Sequence, residues 1–352
     1  MLQSQKQVRI ERLAATLQLP ILQSSRRRIQ RFLQIKALSI LVLWFPIVKE
    51  VIARQLKVGS QLVIALDRTQ GQEYNVLMVS AIVQKRAFPI FWTLLDKKGA
   101  SNLSEQQQVL RPVIRLLKRY KLVIVGEREF PSIELAQWLH GQRLSFVLRQ
   151  KCSTTFREKK QPFQCLDTIP VQPGIHFFYP KVGFTQKKGF SRFNLAAYWK
   201  RKYRGKQEDE PWYLLTNLPD LKSAIGVYSK RYGIEAMFKD CKTGGYNLEG
   251  SQASPDKLIV LMILIALAMT SAWLKGKRTQ LQGQEKYVCR PQEPDRNRRR
   301  HSKFWIGLYG ENWLIAVDCC QEWVESMLSL VRNKKSFYRK GIRAIKLIGQ
   351  AL

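Results

Sequence analysis

The stretch QLVIALDRTQGQEYNVLMVSAIVQKRAFPIFWTLL, at residues 61–95, contains three apolar runs separated by short polar segments. Each run is rich in β-branched and aromatic side chains, which favour a strand over a helix at this length. We therefore predict three consecutive β-strands, at 61–67, 74–83 and 87–96. The first of them ends in a carboxylate, Asp67.

A helix, a fourth strand and a second helix are predicted to follow. Residues 101–120 begin with polar side chains and end with basic ones, which suits the helix dipole. The run LVIV at 122–125 predicts a buried strand, and 133–140 a helix. The order βββαβα predicts an α/β, ribonuclease-H-like core, which continues with a fifth strand and another helix. We place these two elements at Trp212–Thr216 and 221–242.

The remaining segments predict four divisions of the chain. Residues 141–211 contain short apolar runs with several Gly and Pro breaks, which predicts a β-rich insertion into the core. The predicted divisions are a helical basic DNA-binding region at 1–57, a core at 58–140 and 212–277, the insertion at 141–211, and a linker with a C-terminal helical region at 278–352.

The charge of the chain points to a polyanionic partner. Lys and Arg number 60 against 26 Asp and Glu, a formal net charge of +34. Such an excess repels itself in a compact fold unless a polyanion neutralises it, so nucleic acid is the expected partner and an anionic membrane the second candidate. The run Arg26-Arg27-Arg28 lies between apolar segments, a pattern typical of a small helical DNA-contacting module.

Two further classes of protein are not favoured. The six Cys form no C-x-x-C pair, and the three His lie far apart, so no zinc finger is predicted. The run LIVLMILIALAMTSAWL at 258–274 carries no charge, but it is shorter than the roughly 20 residues of a membrane span. Basic residues bracket both of its ends, so we predict a buried core helix and no membrane partner. No signal peptide is recognisable, and we expect a cytoplasmic protein.

Three carboxylates lie where metal-dependent phosphodiester cleavage would need them. Asp67 ends the first strand, Glu127 follows the fourth strand, and Glu235 lies in the late helix. Hard oxygen ligands of this kind bind the two Mg²⁺ ions of such reactions. On a continuous helix, Glu235 would share an arc of about 60° with Tyr228, Arg231 and Lys242.

The spacing Y-(2)-R-(3)-E-(6)-K resembles the signature of the DDE transposases of bacterial insertion-sequence family four. The matching residues, at every position, are Tyr228, Arg231, Glu235 and Lys242. The resemblance extends over roughly residues 20–350. It implies that the Glu is a metal ligand and that the Tyr, Arg and Lys grip phosphates at the transposon end.

The same resemblance implies a metal site and a reaction course. Asp67 matches the first family Asp, and Glu127, in the string GEREF, stands where Asp is usual. Asp67, Glu127 and Glu235 are then the catalytic ligands of Mg²⁺, for which Mn²⁺ can substitute. A nick at the transposon end is followed by a DNA hairpin, its opening, and attack on target DNA. Trp212 either stacks on the base that flips out during hairpin formation or is a core residue.

Expected partners follow from this resemblance as well. They are the terminal inverted repeats of a transposon and the target DNA, and pairing of the two ends implies a homodimer. The protein would act in the bacterial cytoplasm, associated with the nucleoid.

Two alternatives stay open at this point. Glu127 in place of Asp, together with the short N-terminus, suits a DNA-binding relic that catalyses poorly with Mg²⁺ and better with Mn²⁺. On that basis Glu127→Asp should raise strand cleavage. A structure-specific nuclease on the same fold is the other alternative, but it leaves the Tyr-Arg-Lys pattern without a purpose.

Overall fold

The computed structural model describes most of the chain in two compact units. We call residues 37–239 the sheet unit, and residues 1–36 with 240–352 the helical unit. Parts of the predicted linker and C-terminal region, at 290–300 and 311–334, lie outside the described residues. The described ranges are 1–17, 22–71, 74–84, 86–130, 133–159, 161–185, 191–201, 208–242, 244–251, 253–289, 301–310 and 335–351.

Ten strands of the sheet unit, among the described residues, form one mixed sheet. They are β1 Gln61–Gln70, β2 Asn75–Val83, β3 Arg86–Leu94, β4 Lys121–Gly126, β5 Ser145–Arg149, β6 Thr155–Arg157, β7 Gln164–Cys165, β8 His176–Phe184, β9 Ser191–Tyr198 and β10 Trp212–Thr216. Their order across the sheet is β3-β2-β1-β4-β5-β10-β9-β8-β6-β7.

Helices of both units are numbered together along the chain. They are α1 Leu2–Gln5, α2 Ile10–Ala15, α3 Leu22–Phe32, α4 Phe45–Ala53, α5 Leu103–Leu116, α6 Ile133–Gly141, α7 Leu221–Tyr228, α8 Tyr232–Cys241, α9 Pro255–Leu281, α10 Glu285–Val288, α11 at 303–310 and α12 Lys335–Ala351.

The first half of the sheet confirms the predicted βββαβα order. β1, β2 and β3 pair antiparallel in succession, and β4 pairs parallel to β1. Helix α5 connects β3 to β4, and a capping box of Asn102 and Glu105 begins it. The result is a mixed α/β architecture in which β1 and β4 lie side by side, and β1 continues past the end of β4 to Gln70.

The prediction of the fifth strand was wrong. The strand that pairs parallel to β4 is β5, not the predicted Trp212–Thr216. The chain leaves β4, runs through α6 and returns to the same sheet edge, which is the usual geometry of a parallel crossover. Trp212–Thr216 forms β10, which pairs antiparallel to β5 and to β9. The strands within the β-rich segment at 141–211 therefore belong to the same sheet as β1 to β4.

The predicted continuous helix at 221–242 is interrupted. α7 ends at Tyr228, a 3₁₀ turn covers Ser229–Arg231, and α8 begins at Tyr232. Ser229 and its neighbours Gly226 and Gly233 are weak helix formers, and the Ser229 hydroxyl donates to the Gly226 carbonyl. The predicted single helix is therefore two helices joined by a tighter turn, and Tyr228, Arg231 and Glu235 still lie close together.

The helical unit contains the long apolar helix α9. By length and composition it could cross a membrane, but most of its apolar stretch is buried inside the described protein. Gly276 of α9 and Gly307 of α11 lie in backbone contact, since a Cβ on Gly276 would stand 1.8 Å from the Lys303 carbonyl oxygen. Such close approach of two helices agrees with the predicted buried helix.

Candidate active site

Two carboxylates lie side by side where β4 ends. In the parallel pairing of β1 and β4, Leu66 lies opposite Gly126, so Asp67 follows inside β1 while Glu127 is the first residue after β4. A Cβ at Gly126 would come within 3.1 Å of the Leu148 side chain, so the backbone of β4 packs closely against β5 here. The register of β1 with β4 thus places the Asp67 and Glu127 carboxylates close to each other.

Glu127 begins a tight turn that is fixed at its other end by a buried ring. The Phe130 amide donates to the Glu127 carbonyl over 2.8 Å, and the Phe130 side chain is fully buried. Within this turn Arg128 pairs with Glu210, and Glu129 pairs with Arg68. The acidic side chain left to face the centre of the site is therefore that of Glu127.

Arg231 joins the three predicted carboxylates. Its guanidinium lies 3.5 Å from Oδ2 of Asp67, 2.8 Å from Oε1 of Glu127 and 2.7 Å from Oε1 of Glu235. The Arg231 side chain is only 8% exposed, whereas that of Glu235 is 53% exposed. The structure thus brings Asp67, Glu127 and Glu235 around one buried cation.

Aromatic side chains pack behind this cluster. The Tyr228 hydroxyl donates to Oε1 of Glu127 over 2.6 Å. Trp212 on β10 packs edge-on against Tyr228, with ring centroids 4.9 Å apart, and also contacts Tyr198 and Tyr232. Trp212 is 4% exposed, so in this conformation no face of its indole is open to a base.

Arg149 belongs to the site, and sequence reasoning missed it. It ends β5, whose Leu148 lies opposite Gly126, and its guanidinium lies 3.7 Å from Oε1 of Glu127. The sequence contained a usable signal, because a basic residue at the end of the strand parallel to β4 must fall beside Glu127. The prediction of residues 141–211 as an insertion separated this strand from the core and so missed Arg149.

The other predicted DNA-binding residues lie in the helical unit. Lys242 pairs with Glu249 at 2.9 Å and its side chain is 22% exposed. The three arginines of α3 are exposed, and the first of them lies 3.4 Å from Glu11. These exposed residues are Arg26, Arg27 and Arg28.

Burial and charge set the ionisation of the cluster. Burial raises the pKa of Asp67 to about 6, against the opposing effect of Arg231. Burial also acts to raise the pKa of Glu127, but Arg231, the Tyr228 hydrogen bond and Arg149 outweigh it and lower that pKa below its usual range. Glu127 is therefore ionised at neutral pH, while the negative charge on Asp67 is only partly compensated.

The donor set suits a hard divalent cation. Asp67, Glu127 and Glu235 offer carboxylate oxygens, which Mg²⁺ and Mn²⁺ prefer, and the raised pKa of Asp67 marks a site where further positive charge would be favourable. In the described part of the chain no group of three such side chains is already arranged around one metal position. The Arg231 guanidinium lies between the three carboxylates instead.

Comparison with solved structures gives distant likenesses. The piggyBac transposase synaptic complex with hairpin DNA is 15% identical and covers 82% of this chain, which spans 58% of the piggyBac chain, with a TM-score of 0.41. Marinitoga piezophila Argonaute with guide RNA and target DNA is 10% identical, covering 61% and 30% of the two chains, with a TM-score of 0.24. Bacillus subtilis endonuclease V is 9% identical, covering 56% and 92%, with a TM-score of 0.26. All three scores lie below 0.5, and we transfer no function from them.

Sequence comparison gives a clearer result. No curated protein sequence matches the chain. The family model of the transposase DDE domain matches residues 66–270, more than half of the chain. The matched range contains Asp67, Glu127 and Glu235. The chain therefore belongs to the family of transposase DDE domains.

Proposed function

We propose that this protein is a DNA transposase of the cut-and-paste type, built on a ribonuclease-H-like core and related to bacterial insertion-sequence family four. The observation that carries the proposal is the convergence of three carboxylates on Arg231. They come from the first strand, from the end of the fourth strand and from a late helix, in a chain of the DDE family. A solvent-exposed helix face would not bury an arginine among three acids.

Each carboxylate has a proposed role as a metal ligand. Mg²⁺, or Mn²⁺ in its place, would supply Lewis-acid activation of the nucleophile and stabilisation of the leaving oxygen. Asp67 is held by the register of β1, Glu127 is held by the turn that follows β4, and Glu235 approaches from α8. The exposed side chain of Glu235 can adjust to complete the ligand set.

Arg231 and Tyr228 prepare the site before DNA arrives. Arg231 offsets part of the negative charge of the three carboxylates, and we propose that it exchanges them for a phosphate of the transposon end when metal and DNA bind. The Tyr228 hydroxyl holds Glu127 in place in the DNA-free protein. In this proposal Arg231 and Tyr228 contact the carboxylates in the DNA-free protein and the phosphates implied by the Y-R-E-K spacing in the DNA complex.

DNA is the proposed partner, both as terminal inverted repeats and as target. The net charge of +34 and the exposed Arg26, Arg27 and Arg28 support non-specific affinity for the phosphate backbone. Lys242 is a further proposed end contact. Joining two ends in one reaction implies a homodimer on DNA. The reaction would pass through a nick, a hairpin and strand transfer.

The test uses DNA that carries the inverted repeats flanking the gene. The purified chain should nick this end in Mg²⁺, form a hairpin and join the end to a target plasmid. Cutting without joining would favour the nuclease alternative. Tight binding without cutting in either Mg²⁺ or Mn²⁺ would favour the relic alternative and overturn the proposed activity.

A further inference from the structure

A second ion pair connects β1, which carries Asp67, to the turn after β4, which carries Glu127. Arg68 follows Asp67 on β1, and its guanidinium pairs with Glu129, two residues after Glu127. The two side chains are 17% and 22% exposed, so the pair is shielded from solvent to a degree that surface ion pairs are not.

The arginine side of this pair is held from several directions. Nη1 of Arg68 donates to Oδ1 of Asn75 at 3.0 Å and to Oε1 of Gln70 at 3.1 Å. Asn75 is buried, and its amide donates to the carbonyls of Lys97 and Gly99. The Arg68 side chain is therefore held in place by β1 and by the first residue of β2.

The glutamate side is held by the turn that carries Glu127. Phe130 is buried next to Glu129, and its amide closes the turn on the Glu127 carbonyl. On the β1 side, the backbone amide of Arg68 donates to Oδ1 of Asp67 over 2.7 Å. Arg68 thus contacts Asp67 through its backbone amide, and it contacts the turn that carries Glu127 through its side chain.

We propose that Arg68 and Glu129 are positioning residues, which set the separation and orientation of the Asp67 and Glu127 carboxylates for metal binding without contacting metal or DNA. The inference rests on the proposed function. Mg²⁺ demands near-ideal octahedral geometry, so an outer pair that fixes its ligands should control metal affinity. The pair also gives Glu129 a purpose other than that of a ligand.

The test measures metal binding and metal dependence in the full chain. Glu129→Gln and Arg68→Lys should each weaken Mn²⁺ binding to the DNA-free protein, measured by titration calorimetry, by about tenfold or more. The Mg²⁺ concentration for half-maximal nicking should rise by a similar factor, while the rate at saturating metal and the affinity for end DNA stay near wild type. Because the two residues act as one unit, the double variant should shift no further than the larger single shift.

A neighbouring ion pair provides the matched control. Arg128 of the same turn pairs with Glu210, which lies just before β10, and this pair is more exposed and includes no residue of β1. Glu210→Gln should leave Mn²⁺ binding and the Mg²⁺ dependence unchanged.

Three results would overturn the inference. They are unchanged metal dependence in both Arg68→Lys and Glu129→Gln, an equal shift in Glu210→Gln, and loss of nicking in Glu129→Gln that saturating metal does not restore. The last would make Glu129 a ligand. A wild-type chain that binds Mn²⁺ but does not cut would instead refute the proposed function.

Discussion

The hydroxyl of Tyr228 lies 2.6 Å from Oε1 of Glu127, and the same oxygen lies 2.8 Å from the guanidinium of Arg231. The Glu side chain reaches both donors, although the family pattern has Asp at this position. An Asp here would place its carboxylate about one C–C bond, roughly 1.5 Å, further from both donors. The extra methylene of Glu127 is therefore matched by its surroundings.

The sequence alone predicts that Glu127→Asp raises strand cleavage, whereas this match predicts the opposite. We now predict that the variant nicks the transposon end about tenfold to a hundredfold more slowly in Mg²⁺ than wild type, because misplacement by about 1 Å has that cost. Single-turnover nicking of the flanking inverted repeat measures it, with Glu127→Ala as the lower limit. A faster Glu127→Asp enzyme would show that the site still prefers the shorter side chain.

The pKa of Asp67 predicts how stability depends on pH in the metal-free protein. Its ordinary value is 3.8, and burial raises the pKa to about 6 in the folded state. Between these values the folded state holds more protons than the unfolded state, so this group lowers stability as pH rises. Asp67→Asn should therefore be about 1–3 kcal/mol more stable than wild type at neutral pH, with the difference vanishing below the unfolded value.

Urea unfolding in the presence of a chelator measures this difference. A wild-type chain that is as stable as Asp67→Asn at neutral pH would show that Arg231 fully compensates the buried charge.

The packing of Trp212 predicts a structural effect of its removal. Trp212→Ala should destabilise the fold by about 3–5 kcal/mol, because a large buried side chain is lost. Nicking and hairpin formation should slow to the same extent, since Tyr228 loses the ring that packs against it. Trp212→Phe should restore much of both. Normal stability with a selective loss of hairpin formation would instead support the base-stacking role.

The arginines of α3 are predicted to contact DNA phosphates. Arg27→Ala and Arg28→Ala should each reduce the salt dependence of end binding by about one unit of slope. Arg54→Ala is the control, because Arg54 is an exposed arginine that pairs with Glu50 on α4. Slopes that stay unchanged in both α3 variants would place the DNA elsewhere on the protein.

Much of the core could be predicted from local sequence. The runs that form β1 to β4 are apolar enough, and the helices α5 and α6 polar enough at their starts, that the order of elements follows from periodicity. The carboxylates Asp67 and Glu127 could be assigned because each directly follows a buried strand run. The assignment of Glu235 depended on the Y-R-E-K spacing.

The elements that were assigned wrongly are those whose identity depends on pairing between segments far apart in the sequence. The run LSFVLRQ reads as a strand in either the core or the insertion, and only its parallel pairing with β4 identifies it as the fifth strand. That pairing places Arg149 beside Glu127, and an ion pair such as Arg68–Glu129 likewise joins residues far apart in the chain. The 3₁₀ turn that ends at Arg231 is likewise not revealed by periodicity at 3.6 residues per turn.

The most direct test of the central claim compares wild type with Asp67→Ala and Glu235→Ala on DNA that carries the flanking inverted repeat. Mg²⁺-dependent nicking and end binding are measured on the same preparations, with Glu50→Ala as a control for removal of a carboxylate on α4. We predict that both site variants lose nicking while they bind the end nearly as well as wild type, because positive charge dominates affinity. Nicking at the wild-type rate in either variant would contradict the assignment of that residue to the metal site.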